Sequence, residues 1–462
     1  MLFQMNELFP LNPDPKGNQP EHTKAFSFPN SVDLESLDLE NMELGAEGAA
    51  ELSNGFYFCL EELLLKNNEI GDQGLRCLAA NNSLKNLKIL SLVRNQISSE
   101  GIVALARNST WSSILHLDLS SNEIKDNGAA ELAENESWKE LQMLALTDNS
   151  IGPMGAAKLS LNASWTKLRI LTLSCNSIGD YGASYLAKNC TWTSLEILEL
   201  KDNDINAEGA IALAQNKSWS QLKQLDLSHN EIGDEGAAGL AANKSWTSLE
   251  TLNLSATGLN DIGAMGLANN TSWTRLKFLN IQENAIGDSG AAALGANKTW
   301  TKLRILYLSF NKIGNKGAAN LASNATWVKL DELDLSENDI GDEGLEGLAG
   351  NTMWGSLNVL SLTGNPLGEA GVSKLLYNKS WNRLGFLELA DVEISDELVM
   401  KLAQNPSWPM LSSIEVPQEN LTSKAKAVLN KISRRSVTGL QHVESSSSSK
   451  DSNVFAHLNR IR

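Results

Sequence analysis

The sequence contains few cysteines, and they form no close pairs. The 462 residues include four of them, at Cys59, Cys77, Cys175 and Cys190. Disulfide-stabilised domains carry dense, even sets of cysteines, and intracellular proteins keep isolated thiols reduced. The spacing therefore argues against a disulfide framework and favours an intracellular protein with free thiols.

Basic residues are outnumbered by acidic ones. Lysine and arginine total 38 against 55 aspartates and glutamates, which gives a formal net charge of -17 at pH 7. Nucleic acids and anionic membranes bind basic patches, so this balance argues against both as main partners. It fits a soluble protein, or one that binds basic surfaces.

The sequence also lacks a long apolar run. It shows neither the roughly 18 consecutive apolar residues of a membrane span nor the basic start and apolar segment of a secretory signal. We therefore expect the chain in the cytoplasm. The alternative is delivery into the cytosol of a host cell by a non-classical secretion route.

A period of 27 residues dominates the sequence. Tyr57 and Leu84 take the first two places of this series, and tryptophan takes every later one. A fixed period of this length is typical of a solenoid, in which each repeat packs only on its neighbours. The tryptophans are predicted to be structural, and they are Trp111, Trp138, Trp165, Trp192, Trp219, Trp246, Trp273, Trp300, Trp327, Trp354, Trp381 and Trp408.

Each repeat follows one pattern when the tryptophan is counted as position 1. Leucine recurs at positions 4, 7 and 9, asparagine at 12 and isoleucine or leucine at 14, as in WSQLKQLDLSHNEIGDEGAAGLAANKS from Trp219. The Leu-x-Leu step predicts a short strand with its leucines inward. Asparagine at 12 is expected to bond neighbouring backbone, and aspartate at 16 is a candidate cap for a helix over GAAGLAA.

The pattern predicts an α/β solenoid in the shape of a horseshoe. It comprises about 15 strand–helix repeats, with a parallel sheet on the concave side. Residues 31–420 are expected to form the array and residues 421–432 a C-terminal capping helix. Residues 1–30, rich in proline and polar residues, and the serine-rich tail 433–462 are expected to be disordered.

The segment LDLSHNEIGDEGAAGLA resembles the ribonuclease-inhibitor-like class of leucine-rich repeats, and it is similar to the repeats of NOD-like receptors and of bacterial GALA effectors. The accessory domains of those proteins are not recognisable here. The resemblance implies the fold, and it implies a non-enzymatic scaffold that binds a protein partner, with a bacterial effector as one form of it. The alternative is a regulator of a small GTPase, because Ran GTPase activators share this fold and use a loop arginine. Arg94, at position 11, is the residue in a comparable place.

No catalytic, cofactor-binding or metal-binding constellation is recognisable in the sequence. The five histidines are dispersed, the acidic pairs fall on solvent-facing positions, and no nucleophile has an obvious base. The recurring GDxG words coincide with helix starts and lack the lysine of a phosphate-binding loop. The sequence therefore predicts neither an enzyme nor a cofactor.

The concave face carries the candidate partner site. Side chains at positions 6, 8 and 10 should point away from the leucine core, and position 8 is largely polar or acidic. We expect adjacent strands to bring together an aromatic group edged by carboxylates, a site for a partner with apolar and basic surface. The residues are Phe278, Ile305, Tyr307, Phe310, Glu332 and Asp334. The alternative is that the apolar side chains only pack within the sheet.

Position 25 holds asparagine in thirteen successive frames, Asn81 to Asn405, and eleven of them form an Asn-x-Ser/Thr triplet. Asn351 and Asn405 lack an acceptor triplet yet keep asparagine and tryptophan. We therefore predict that this asparagine ends the helix in the left-handed conformation rather than accepting a glycan. At position 12, Thr257 and Val392 replace asparagine, and threonine alone could still donate a hydrogen bond.

Overall fold

A computed structural model describes residues 33–433. The disorder predicted for residues 1–30 and for the tail beyond residue 433 lies outside the described residues. The chain divides into two compact units, Met1–Leu249 and Glu250–Arg462. Over the described residues, fifteen strands alternate with fifteen helices, as the 27-residue period predicts.

The first unit contains eight strands and eight helices. Strands β1 to β8 pair in parallel in sequence order and are Ser36–Asp38, Glu62–Leu64, Ile89–Ser91, His116–Asp118, Met143–Ala145, Ile170–Thr172, Ile197–Glu199 and Gln224–Asp226. Helices α1 to α8 are Gly45–Ser53, Gly71–Ala79, Ser99–Ala106, Lys125–Ala133, Pro153–Leu159, Gly179–Leu186, Ala207–Ala214 and Gly233–Ala242.

The second unit contains seven strands and seven helices. Strands β9 to β15 also pair in parallel in sequence order and are Thr251–Asn253, Phe278–Asn280, Ile305–Tyr307, Glu332–Asp334, Val359–Ser361, Phe386–Glu388 and Ser413–Glu415. Helices α9 to α15 are Asp261–Ala268, Asp288–Ala296, Asn315–Ala322, Asp342–Ala349, Glu369–Leu375, Asp396–Ala403 and Ser423–Ser433. Helix α15 packs against α14 and β15.

The leucine pattern builds the core between sheet and helices. In the repeat that begins at Trp219, Leu222, Leu225 and Leu227 are no more than 1% exposed, and so is Leu240 of α8. The middle residue of each three-residue strand points to the helices, so the first and third side chains point away from them. We call that side of the sheet the open face.

The asparagine at position 12 bonds both its own repeat and its neighbours. The Nδ2 of Asn122 donates to the carbonyls of Leu92 and Leu119 at 3.0 and 2.8 Å. Its Oδ1 accepts the N–H groups of Asn95 and Ile97, both at 3.0 Å. One buried amide therefore satisfies backbone groups that parallel pairing leaves free.

The two exceptions at position 12 behave differently. Thr257 donates its hydroxyl to the Leu254 carbonyl at 2.6 Å, which confirms that threonine still supplies one bond. Val392 cannot, and in the preceding repeat the N–H of Leu367 bonds locally to the carbonyl of Asn365 at 2.7 Å.

The aspartate at position 16 does cap a helix, but not its own as predicted. Asp288 is the first residue of α10, and its Oδ1 accepts the N–H groups of Gly314 and Gly317 at 2.8 and 2.7 Å. Those groups are free donors at the start of α11. Asp126 does the same for α5, so the starts of α5 and α11 are capped by the preceding repeat. Helices α3, α9 and α14 also have a side-chain cap from their own N-cap residue.

The asparagine at position 25 does not adopt the predicted left-handed conformation. Asn243 has φ -68° and ψ 125°, which is extended backbone. Asn216 is typical in its bonding: its Nδ2 donates to the carbonyls of Ala187 and Asn189, and its Oδ1 accepts the N–H groups of Ser218 and Trp219. The nitrogen that a glycan would need is thus buried and hydrogen-bonded, which supports the structural interpretation.

Candidate functional site

Strands β10, β11 and β12 bring five of the six predicted partner-binding residues together, and the sixth, Phe310, follows β11. Parallel pairing places neighbouring strands about 4.8 Å apart. In register, the first residues of the three strands form one row and the third residues another: Phe278, Ile305 and Glu332, then Asn280, Tyr307 and Asp334. We call Phe278, Ile305, Tyr307, Phe310, Glu332 and Asp334 the aromatic–acidic cluster.

The two rings on the strands hold each other in place. The ring centroids of Phe278 and Tyr307 are 5.3 Å apart and the planes meet at 82°, an edge-to-face contact. The Tyr307 hydroxyl donates to Oε1 of Glu332 at 2.8 Å. Burial, followed by the neighbouring Glu332 carboxylate, raises the pKa of Tyr307, so the hydroxyl stays a donor at neutral pH. The tyrosine therefore links the apolar and acidic halves of the cluster.

Phe310 follows β11 and has an unfavourable conformation. Its φ is 51°, in the left-handed region, and its side chain is 56% exposed. This conformation costs an L-residue roughly 1–2 kcal/mol, and a bulky side chain there is a genuine outlier. The equivalent residues of adjacent repeats, Glu283 and Glu337, share the conformation but are polar. The same conformation recurs at position 11 in most repeats, so the exposed aromatic side chain, and not the backbone, distinguishes Phe310 from its equivalents.

The carboxylates of the cluster lack positive partners. Burial is the largest cause that raises the pKa of Glu332, and Asp334 adds to the shift, although the Tyr307 hydrogen bond opposes it. Burial also raises the pKa of Glu388 on β14, with Glu415 and Asp334 contributing. Among residues 33–433, no lysine or arginine forms an ion pair with Glu332, Asp334 or Glu388. The cluster can therefore gain from a cation supplied by a partner.

A second acidic group, on the first unit, was not singled out from the sequence. Glu199 of β7 lies in register beside Asp226 of β8. Burial, and then the Asp226 charge, raises the pKa of Glu199 to about 7. The acidic residues at position 8 of consecutive repeats are the sequence signal that could have indicated this group. The raised pKa of Glu199 depends on burial, which that signal does not show.

Replacing Glu199 with glutamine should stabilise the protein above pH 7. The folded pKa of about 7 exceeds the unfolded value near 4.3, so the folded state binds more protons between these values and its stability falls as pH rises through them. We expect Glu199→Gln to raise the free energy of unfolding by roughly 1–3 kcal/mol at pH 8 and by little near pH 4. Urea denaturation at both pH values measures this.

The matched control is Glu235→Gln, which removes an exposed carboxylate from α8. It should change the free energy of unfolding little at either pH, because an exposed surface charge contributes little to stability. A Glu199→Gln gain of equal size at pH 4 and pH 8 would show that ionisation is not its cause.

The other residues considered as functional candidates in the sequence are not part of the aromatic–acidic cluster. Arg94 is exposed after β3, with φ 55°. Burial, and then Asp202, raises the pKa of the Cys175 thiol, which disfavours its reactive thiolate. Within residues 33–433 no group of histidine, cysteine and acidic side chains has the arrangement of a metal site. No helix in that range is long and apolar enough to span a membrane.

Grooves in the described part of the chain lie away from the aromatic–acidic cluster. One is bordered by Glu346, Lys374 and Tyr377 near the ends of α12 and α13. Another includes Glu134 and Leu161 near the ends of α4 and α5. Neither of these two grooves includes a residue of the aromatic–acidic cluster, whose strand residues lie on the open face of the sheet.

Comparison with known proteins identifies the repeat. The family model described as "Leucine Rich repeat" matches residues 58–79, 83–106, 112–133, 166–187, 193–214, 221–241, 247–268, 274–295, 301–322 and 329–349. The chain belongs to the leucine-rich repeat family. No curated protein sequence gives a significant match to it.

Two solved structures are similar to parts of this chain. An internalin from Listeria monocytogenes is 21% identical with a TM-score of 0.46, over 76% of this chain and 95% of the internalin. The ectodomain of the Arabidopsis thaliana receptor kinase GASSHO1/SCHENGEN3, solved in complex with CASPARIAN STRIP INTEGRITY FACTOR 2, is 19% identical with a TM-score of 0.39, over 88% of this chain and 56% of that one. At these identities the likeness concerns the fold alone.

Proposed function

We propose that the protein is a non-enzymatic scaffold that binds a protein partner through the aromatic–acidic cluster. Leucine-rich repeat proteins generally act as interaction scaffolds, and the open face of their sheets offers an extended surface. The observation that carries the proposal for this site is Phe310, an exposed ring held at φ 51°. Its backbone costs stability, and a partner that buries the ring would offset that cost.

The chemistry of the cluster defines the partner surface. Phe278, Tyr307 and Phe310 offer aromatic contact area, and Glu332 and Asp334 offer carboxylates without cationic partners in the described chain. An apolar side chain on the rings with lysine or arginine beside the carboxylates would satisfy both halves. The partner is therefore expected to carry adjoining apolar and basic groups.

Replacing Phe310 with alanine should weaken partner binding about 10- to 30-fold, the effect of removing one interfacial hot-spot side chain. The tagged full-length chain is used to recover partners from lysate, and the affinity of each recovered partner is then measured by titration with the purified variant. Folding should be preserved, because the change truncates an exposed side chain, and alanine already adopts this conformation at the equivalent position, Ala256.

Tyr377→Ala is the matched control, because Tyr377 is an aromatic residue of the same unit that is 76% exposed. It should leave partner affinity unchanged. Equal affinity of every recovered partner for the Phe310→Ala variant and the unchanged chain would refute the cluster as the binding site.

The alternative function is regulation of a small GTPase by Arg94. Its support is an exposed arginine at the exit of a strand, with φ 55°. Under this alternative the chain accelerates GTP hydrolysis about 10³-fold or more, and Arg94→Ala abolishes the acceleration. Turnover by a panel of purified small GTPases measures this, with Arg107→Ala, another exposed arginine, as the control. No stimulation by the unchanged chain would exclude the alternative.

The same features support a more specific proposal about the class of repeat and the cellular location. We propose a ribonuclease-inhibitor-like array that works in a cytosol, either that of its own cell or, as a delivered bacterial effector, that of a host. Cysteines without disulfide partners, at Cys59, Cys77, Cys175 and Cys190, suit a reducing compartment. Fractionation of the native host cell and of cells exposed to it would distinguish the two locations.

A further inference from the structure

Helices α5 and α6 carry an exposed apolar surface on their outer sides. Met154 and Tyr181 occupy position 17 of consecutive repeats and are 54% and 50% exposed, and Leu161 after α5 is 67% exposed. In the adjacent repeats on either side, position 17 is polar, with Asn127 and Glu208. Neighbouring apolar side chains of this kind mark an interaction surface rather than single exposed residues.

Two lysines accompany this surface. Tyr181 and Tyr185 have ring centroids 4.7 Å apart, and the Lys188 amine lies 4.1 Å from the Tyr185 ring centre. Lys158 and Lys188 are exposed, and neither forms an ion pair among the described residues. We call Met154, Lys158, Leu161, Tyr181, Tyr185 and Lys188 the α5–α6 patch. The patch combines apolar side chains with two lysines, and Glu134 and Glu136 line the groove that Lys158 and Leu161 share.

The α5–α6 patch has the chemistry that the aromatic–acidic cluster requires of a partner. The patch offers apolar side chains next to two lysines, and the cluster offers exposed aromatic rings next to unpaired carboxylates. We propose that the α5–α6 patch of one molecule binds the aromatic–acidic cluster of a second copy of this chain. This inference rests on the proposed function of the cluster and names the partner as the chain itself.

The contact joins two different surfaces of the chain. Each molecule can therefore bind one partner reciprocally, patch to cluster and cluster to patch, or bind two neighbours in a longer assembly. An interface centred on six side chains per partner is at the small end of specific contacts. Association is therefore expected in the micromolar range, and it should weaken as salt screens the lysine–carboxylate pairs.

Sedimentation of the full-length chain at about 10 to 200 µM tests this, a range that brackets micromolar association. The unchanged chain should form dimers or larger species as concentration rises, and added salt should weaken this association. The patch variant Leu161→Ala/Tyr181→Ala and the cluster variant Phe310→Ala/Glu332→Gln should each stay monomeric alone. Ile262→Ala and Tyr377→Ala alter side chains that are 62% and 76% exposed elsewhere, and they should associate normally.

Mixing the two deficient variants gives the decisive result. One retains an intact cluster and the other an intact patch, so a single interface can form and the mixture should yield a heterodimer and nothing larger. Circular dichroism verifies that both variants are folded before mixing. A monomeric mixture overturns the inference, as does normal self-association of the cluster variant, which would indicate patch-to-patch contact.

The inference would also be overturned if the chain without substitutions stayed monomeric throughout this concentration range. It would not affect the proposed function, because recovery of another protein that depends on Phe310 would still support the cluster as a binding site. Loss of both self-association and every Phe310-dependent partner would refute the two together.

Discussion

Replacing Trp219 with alanine should lower the free energy of unfolding by about 3–5 kcal/mol, the cost of truncating a buried aromatic side chain. Trp219 is fully buried, and its backbone N–H is fixed by Asn216 at 3.0 Å. Repeats pack only on their neighbours, so a cavity in one weakens both of its interfaces. The midpoint of urea denaturation, followed by circular dichroism, measures the loss.

Trp219→Phe is the control that separates volume from polarity. Within residues 33–433, the indole nitrogens of all twelve tryptophans bond no protein acceptor, Trp219 among them. Phenylalanine keeps most of the apolar volume and removes a buried donor, so we expect a loss of only about 1–2 kcal/mol. Equal losses for Trp219→Phe and Trp219→Ala would show that the fit of the whole indole ring, and not apolar volume alone, stabilises the repeat.

The second large effect concerns the asparagine at position 12. Asn122→Ala should cost about 3 kcal/mol or more, because it leaves several buried groups without partners and each such group costs roughly 1–3 kcal/mol. The affected groups include the carbonyls of Leu92 and Leu119 and the N–H groups of Asn95 and Ile97. Denaturation and amide hydrogen exchange of Asn95 and Ile97 would both report the change.

Thr257→Ala is the matched control for the substitution at position 12. Thr257 occupies position 12 but makes one short side-chain bond, to the Leu254 carbonyl at 2.6 Å. Its loss should therefore cost only about 1 kcal/mol. If Asn122→Ala cost no more than Thr257→Ala, the multiple bonds of the asparagine would not explain its recurrence.

Much of the fold follows from the sequence because its determinants are periodic and local. The 27-residue repeat fixes the number and order of elements, and Leu-x-Leu with the position-12 asparagine marks each strand and the turn after it. The residues of the aromatic–acidic cluster also follow from the sequence, because parallel strands in register bring equal positions together, as they do for Phe278 and Ile305.

Contacts between repeats were harder to predict. Asp288 was expected to cap its own helix, yet it accepts the N–H of Gly314, 26 residues later, and so caps the helix of the next repeat. Asn243 was expected to turn left-handed, yet its side chain bonds Ala214 in the preceding repeat and its backbone stays extended. Single-repeat reasoning misses such bonds, because they depend on how closely neighbouring repeats stack.

The sequence alone determined the solenoid, its repeat length and the strand positions on the open face, since hydrophobic periodicity decides which side chains enter the core. Only the tertiary structure decided the energies at individual sites. The raised pKa of Glu199 arises from its burial and from Asp226 one repeat away. Desolvation and the interaction between charges depend on distances between repeats, and a linear pattern does not contain those distances.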